Sequence, residues 1–83
     1  MRPLKTLTLY SRPECHLCEL LLGELTPLLD DSVAVEILDI SQDPDLMRRY
    51  GLRIPILSCD GQEISGYPLD TGRVKSILAT QVS

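Results

Sequence analysis

The chain has 83 residues, the length of a single domain, and 43% of them are hydrophobic, which is enough for a packed core. Its net charge of −4 argues against binding to nucleic acid or to an anionic membrane, because both depend on an excess of Lys and Arg. It contains no apolar run long enough for a signal peptide or a membrane helix. We therefore expect one cytoplasmic domain over residues 1–83 that works as a monomer.

The first predicted elements are a strand and a helix. Apolar and polar residues alternate over residues 4–10, which predicts a strand, and residues 11–14 interrupt it. From His16 onward, leucines recur at helical spacing. Pro27 predicts a kink or break because proline lacks an N–H, and Thr26 could cap a new turn there.

A second strand and a second helix follow. Residues 33–40 predict the strand, with three apolar side chains on one face: Val33, Val35 and Ile37. Asp43 predicts the cap of the helix, and Pro44 suits its first position because the missing N–H is not needed there.

The last part of the chain predicts a hairpin and a third helix. Strands over residues 54–59 and 62–65 flank Asp60 and Gly61, a pair typical of two-residue hairpin turns, and Asp70 predicts the cap of the helix. The order is therefore β-α-β-α-β-β-α. Because a helix connects the first two strands, they must be parallel. The pattern predicts an α/β fold with a four-stranded mixed sheet flanked by helices.

Two of the three cysteines, Cys15 and Cys18, lie at the predicted junction of the first strand and the first helix. At this spacing on a helix, their sulfurs share one face and are close enough for a disulfide. Cys15 is predicted in the first turn, where free N–H groups and the helix dipole stabilise a thiolate. Cys18, one turn further in, is suited to resolving a mixed disulfide. The pair, next to a βαβ pattern, is typical of thiol–disulfide chemistry.

Three other interpretations of the pair stay open: ordinary buried thiols, half of a zinc site, or a metal or iron–sulfur site shared between two chains. A closed zinc site needs about four ligands, and only Cys59 and His16 remain, so we expect no bound metal. We interpret Cys59 as a small core residue. His16, as an imidazolium, would stabilise the thiolate and make the disulfide more oxidising, whereas as a merely exposed residue it would have no role.

Three segments resemble glutaredoxins and occur in the same order as in that family. Residues 10–18, Tyr-Ser-Arg-Pro-Glu-Cys-His-Leu-Cys, resemble the active-site segment. Residues 53–55, Arg-Ile-Pro, look like the family's Thr-Val-Pro segment. Residues 62–67, Gln-Glu-Ile-Ser-Gly-Tyr, look like the stretch that holds the family's Gly-Gly pair. In particular, the chain resembles short bacterial glutaredoxin-like proteins, which often carry Cys-His-Leu-Cys.

The resemblance implies a thioredoxin fold and a thiol–disulfide oxidoreductase, with Cys15 as nucleophile and Cys18 as resolving thiol. It also implies that Pro55 is cis and faces the disulfide, and that the Ile54 backbone pairs with an extended substrate or with glutathione. The implied substrates are protein or small-molecule disulfides, including glutathione mixed disulfides. The implied electron donor is glutathione or a flavin-dependent thioredoxin reductase, with no tightly bound cofactor.

The sequence departs from glutaredoxins around the implied glutathione site. His-Leu replaces Pro-Tyr between the cysteines, and Ser65 replaces the first glycine of the Gly-Gly pair. Arg12 and Arg53 stand in the segments that would bind the glutathione carboxylates, although both could merely be solvated at the rim. Ser65 and Gly66 could present backbone N–H groups. Two alternative functions remain, an iron–sulfur-cluster-binding module and a redox-silent adaptor with the same fold.

Overall fold

The computed structural model describes residues 5–79, in which the order of strands and α-helices is β-α-β-α-β-β-α. The elements are β1 (Lys5–Ser11), α1 (His16–Leu25), β2 (Val33–Asp39), α2 (Pro44–Tyr50), β3 (Ile56–Cys59), β4 (Gln62–Ser65) and α3 (Thr71–Ala79). Short 3-10 turns follow α1 at Thr26–Leu28 and β2 at Ile40–Gln42. Within the described part of the chain, no helix combines the length and the apolar character that crossing a bilayer requires.

The sheet has the strand order β2-β1-β3-β4, so β2 and β4 form its edges. β1 pairs in parallel with β2, with Leu7 opposite Val35, and antiparallel with β3, with Leu9 opposite Leu57. β4 pairs antiparallel with β3. The predicted mixed sheet is confirmed, since the helical crossover makes the first pair parallel and the hairpin makes the last pair antiparallel.

One hydrophobic core lies between the sheet and the two helices α1 and α3. Its buried side chains are Leu7, Leu9, Leu21, Leu25, Leu57, Cys59, Ile64, Leu69 and Val74. Tyr10 points to the opposite face of the sheet from Leu9, because successive strand residues alternate. Tyr10 stacks there on Tyr50 of α2, with ring centroids 4.6 Å apart. Helices therefore flank both faces, as predicted.

The hairpin turn and the caps of α2 and α3 form as the sequence predicts. Asp60 and Gly61 both have positive φ, 53° and 80°, which is the geometry of a two-residue hairpin turn that keeps the strand twist. The carboxylates of Asp43 and Asp70 accept hydrogen bonds from backbone N–H groups in the first turns of α2 and α3. These bonds pair N–H groups that have no partner within the helix.

The prediction for the second strand is wrong at its carboxyl end. The strand ends at Asp39, and Ile40 is fully buried in the 3-10 turn that follows. The sequence predicts Val33, Val35 and Ile37 on one face of the strand. The two valines pack against the core, whereas Ile37, further along the same strand, is 58% exposed and lines two surface cavities.

Other boundaries differ by one or two residues. β1 continues to Ser11, and its predicted start at residue 4 lies outside the described residues. β3 begins at Ile56, two residues later than predicted, after a proline that has no N–H to donate to the sheet.

The break predicted at Pro27 is confirmed, since α1 ends at Leu25 and a 3-10 turn follows. Thr26 does not cap that turn, however. Its hydroxyl donates a hydrogen bond of 2.7 Å to the Leu22 carbonyl oxygen, which closes the end of α1.

Candidate active site

The site is built where β1 meets α1. β1 ends at Ser11, and α1 begins at His16. Between them the backbone of Glu14 has φ of 62°, in the left-handed region that residues other than glycine rarely adopt. This turn directs the chain into α1 so that Cys15 stands at the amino-terminal end of the helix.

Cys15 and Cys18 are joined by a disulfide, with their Cα atoms 5.2 Å apart. Cys15 is the N-cap of α1 and not a residue of its first turn, so the predicted position is one residue too far along. Its backbone is extended, with φ of −94° and ψ of 101°. The N–H of Cys18 donates a hydrogen bond of 3.2 Å to Cys15 Sγ. A backbone donor and the positive end of the helix dipole therefore both act on the Cys15 sulfur.

The two cysteines differ in exposure. Cys15 is half-buried, whereas Cys18 is only 4% exposed. Cys15 is therefore more accessible from solvent than Cys18. This difference in exposure fits the predicted roles of an outer nucleophile and an inner resolving thiol, and the roles themselves stay predictions.

A surface groove of about 370 Å³ opens beside Cys15. Two segments that are far apart in the chain line it. The first contributes Arg12, Glu14, Cys15, His16 and Leu17. The second, between α2 and β3, contributes Gly51, Leu52 and Ile54. The sequence did not identify Leu17, Gly51 and Leu52 as site residues, because they carry no chemically distinctive side chain.

The peptide bond between Ile54 and Pro55 is cis, as the resemblance implies. Pro55 is buried, and Ile54 lines the same groove as Cys15. The structure therefore brings the Ile54 segment to the site. That Pro55 faces the disulfide, and that Ile54 pairs with a substrate, stay predictions.

The three basic side chains predicted at the site lie in different surroundings. Arg12 is exposed and lines the groove. Arg53 forms an ion pair with Glu63 of β4 and is not among the described residues that line the groove. His16 also lines the groove, and its Nδ1 lies 3.8 Å from a carboxylate oxygen of Glu19, with both side chains exposed.

Ser65 and Gly66 lie close to the Pro55 segment. A Cβ atom added to Gly66 would lie 3.5 Å from the Pro55 carbonyl oxygen. Ser65 is buried, and its hydroxyl accepts a hydrogen bond of 2.9 Å from the Asp70 N–H and donates one of 2.9 Å to the Gly66 carbonyl oxygen. The serine that replaces a glycine of the family thus fastens the loop that leads to α3. In the same loop, the peptide bond between Tyr67 and Pro68 is also cis.

A second, smaller cavity of about 140 Å³ is lined by both cysteines of the disulfide. Ser11, Glu19 and Ile37 are among the residues that line it. The sequence pattern did not indicate this cavity, because it forms only where β1, β2 and α1 meet.

Cys59 lies in the hydrophobic core and is 6% exposed. Burial, assisted by the negative charge of the neighbouring Asp60, raises the pKa of the Cys59 thiol above its usual value. Both findings agree with its interpretation as a core residue. Over residues 5–79, no group of three or more His, Cys, Asp or Glu side chains is arranged to hold a metal ion.

Comparisons with known proteins agree with this geometry. A family model described as a glutaredoxin-like domain matches residues 6–79, and no curated protein is significantly similar to the chain. A structural genomics target protein from X. campestris is 35% identical, with a TM-score of 0.72, over 88% of this chain and 95% of its own. Protein Ne2328 from Nitrosomonas europaea is 29% identical, with a TM-score of 0.80, over 93% of each chain.

A more distant structure shows the fold alone. A mutant thioredoxin from Halobacterium salinarum is 21% identical, with a TM-score of 0.62, over 98% of this chain and 77% of its own. The match to the family model covers nearly all of the described residues. The chain therefore belongs to the glutaredoxin-like domain family and has a thioredoxin-like α/β fold.

Proposed function

We propose that the protein is a thiol–disulfide oxidoreductase that reduces protein or glutathione mixed disulfides through Cys15 and Cys18. The observation that carries the proposal is the disulfide between an accessible N-cap cysteine and a buried cysteine one turn later. A bond between two structural cysteines would have no need of an accessible sulfur at a helix terminus beside a groove.

The reaction consists of two exchanges. In the reduced protein, the Cys15 thiolate attacks one sulfur of a substrate disulfide, and the other substrate sulfur leaves as a thiolate that takes up a proton. The Cys18 thiol then loses its proton and attacks the Cys15 sulfur, which releases the second substrate thiol. Two electrons pass from the dithiol to the substrate, and the Cys15–Cys18 disulfide remains. The structure corresponds to this oxidised end state.

The chain's own atoms assist the first exchange. The Cys18 N–H donates to Cys15 Sγ at 3.2 Å, and the same donor can stabilise a thiolate at that atom. A second contribution comes from the unpaired N–H groups at the start of α1. These groups act most strongly on a negative sulfur, so they favour the reduced, reactive form of Cys15.

Return to the dithiol requires an external thiol donor, for which we propose glutathione or a thioredoxin reductase. Arg12 supports a glutathione site because it is exposed in the groove beside Cys15. Arg53 supports it less well, since its guanidinium is engaged by Glu63. The basic side chains implied by the family are thus present but not equally available.

A redox titration tests the proposed function. The protein is equilibrated in glutathione and dithiothreitol buffers of graded potential, alkylated, and analysed by mass spectrometry. We expect a two-electron transition between dithiol and disulfide at Cys15 and Cys18, with Cys59 unchanged. The Cys18→Ser variant should accumulate a mixed disulfide on Cys15, and the Cys15→Ser variant should accumulate none. Failure of the pair to form a reversible disulfide would contradict the proposal and favour a redox-silent adaptor.

A further inference from the structure

Two leucines are exposed in the groove that contains Cys15, one from each of the segments that line it. Leu17, in the first turn of α1, is 46% exposed, and Leu52, in the loop between α2 and β3, is 104% exposed. Leu52 therefore makes no packing contact that holds it in the fold. Covering such a side chain with an apolar partner is favourable because it removes hydrocarbon from water.

The charges in the groove do not match glutathione, which carries a carboxylate at each end. Among the described residues that line the groove, Arg12 is the only one with a permanent positive charge, and Glu14 places a carboxylate in the same groove. The arginines of α2 and the following loop do not line the groove, and they have other partners: Arg48 pairs with Asp45, Arg49 lies over the Tyr50 ring, and Arg53 pairs with Glu63. The groove thus offers apolar surface without the excess positive charge that an anionic tripeptide requires.

We propose that this groove selects polypeptide disulfides in which an apolar residue lies beside the reacting cysteine, in preference to glutathione disulfides. The inference rests on the proposed function and names its substrate class. While the substrate sulfur is bonded to Cys15, the side chain next to the substrate cysteine packs between Leu17 and Leu52. Both leucines are specificity residues in this scheme, since they contact the substrate but take no part in the exchange of electrons.

The chemistry remains the balanced exchange described above. Cys15 forms one bond with the peptide sulfur as the substrate disulfide breaks, and Cys18 then displaces the peptide as a free thiol. The two electrons come from the reduced protein itself. Pre-reduced protein can therefore be tested in a single turnover without knowledge of its natural electron donor.

The test uses two synthetic peptides, each as a disulfide-linked dimer with itself, that differ only in the residue beside the cysteine, which is Leu in one peptide and Ser in the other. Glutathione disulfide is the third substrate. Pre-reduced wild-type protein, Leu52→Ser, Leu17→Ser and the control Leu38→Ser are compared. Leu38 is 41% exposed on β2 and lies outside the groove lining. Because Leu52 and Leu38 are both exposed, neither substitution opens a cavity in the core, and circular dichroism confirms that each variant is folded.

We expect the wild-type protein to reduce the Leu peptide about fivefold faster than the Ser peptide, because the groove removes part of the peptide's leucine side chain from water. Glutathione disulfide should react more slowly than the Leu peptide. Leu52→Ser and Leu17→Ser should each reduce the preference for the Leu peptide, and Leu38→Ser should retain it.

Equal rates for the two peptides, or fastest reduction of glutathione disulfide, would overturn the inference and leave disulfide reduction intact. No reduction of any substrate would overturn both the inference and the proposed function. Sedimentation of the wild-type protein gives an independent check. A dimer that Leu52→Ser dissociates would show that a second copy covers these leucines, and it would also overturn the inference.

Discussion

Cys15 and Ile54 line the same groove, but the chain holds them in place by different means. Cys15 is positioned by its neighbours in sequence, through the left-handed turn at Glu14 and the start of α1. Ile54 is held partly by a near neighbour, since its N–H donates a hydrogen bond of 3.0 Å to the Tyr50 carbonyl oxygen. Its segment is also joined to β4 by the ion pair of Arg53 with Glu63. The reactive side of the groove is therefore a local structure, whereas the opposite side combines local and tertiary contacts.

This difference explains where substitutions should act. Changes near Cys15 alter a short segment whose geometry depends on backbone preference and on the core beneath α1. Changes near Ile54 alter contacts that join β3, β4 and the loop before α3. The following predictions use stability measurements to separate the two kinds of support.

The largest effect is expected beneath Cys18, on the inner face of α1. Leu21→Ala should lower the free energy of unfolding by about 2–5 kcal/mol, because Leu21 is fully buried and its loss leaves a cavity. Leu20→Ala is the matched control on the same helix, since Leu20 is 39% exposed. Urea denaturation of both variants measures the difference. Equal losses would show that α1 does not rest on the core as described.

On the Ile54 side of the groove, Ser65→Ala should lower the stability of the fold. The substitution leaves the Asp70 N–H without the Ser65 oxygen as acceptor, and we expect a loss of about 1–3 kcal/mol in urea denaturation. Ser76→Ala, at an exposed position of α3, is the control and should change little. If Ser65→Ala lowered the free energy of unfolding no more than its control, the serine would not hold the loop before α3.

On the Cys15 side of the groove, a substitution by glycine should raise the stability of the fold and not lower it. Glu14→Gly should raise the free energy of unfolding by about 1 kcal/mol, because glycine adopts the left-handed region without the clash of a Cβ atom. Lys75→Gly, in the interior of α3, should lower it by about 1 kcal/mol, since glycine is a poor helix former. A loss of stability in Glu14→Gly would contradict the turn geometry.

The smallest effect is expected in the loop before β2, away from both sides of the groove. Hydrogen bonds from the Ser32 hydroxyl and then the Ser32 N–H lower the pKa of Asp30 below its usual value of 3.8. A lowered pKa in the folded state adds stability above the unfolded pKa, and this stability is lost as the pH falls through the folded pKa. Asp30→Asn should therefore be slightly less stable than wild type at pH 6. The gap should close at strongly acid pH, and a gap that widens there would contradict the assigned hydrogen bonds.

The same contrast explains how much the sequence could predict. The order of strands and helices along the chain, the Asp60–Gly61 turn and the capping role of Asp43 follow from short patterns, and the structure confirms them. The disulfide between Cys15 and Cys18 is equally local, since its geometry is set by one turn of a helix.

What the sequence missed depends on distant parts of the chain. Val33, Val35 and Ile37 follow one strand pattern, yet only the two valines pack against the core and Ile37 is exposed. The pairing of Arg53 with Glu63 needs the register of β4, which no local pattern specifies. The left-handed backbone at Glu14 carries no signal either, because glutamate has no preference for that region.

The central claim is that Cys15 is the nucleophile, and limited alkylation of the fully reduced protein at neutral pH tests it most directly. Mass spectrometry of peptides from a time course shows which cysteine reacts first. We expect Cys15 to be labelled well before Cys18, which is buried, and before Cys59, whose pKa is raised chiefly by burial. Preferential labelling of Cys18 or Cys59 would contradict the account.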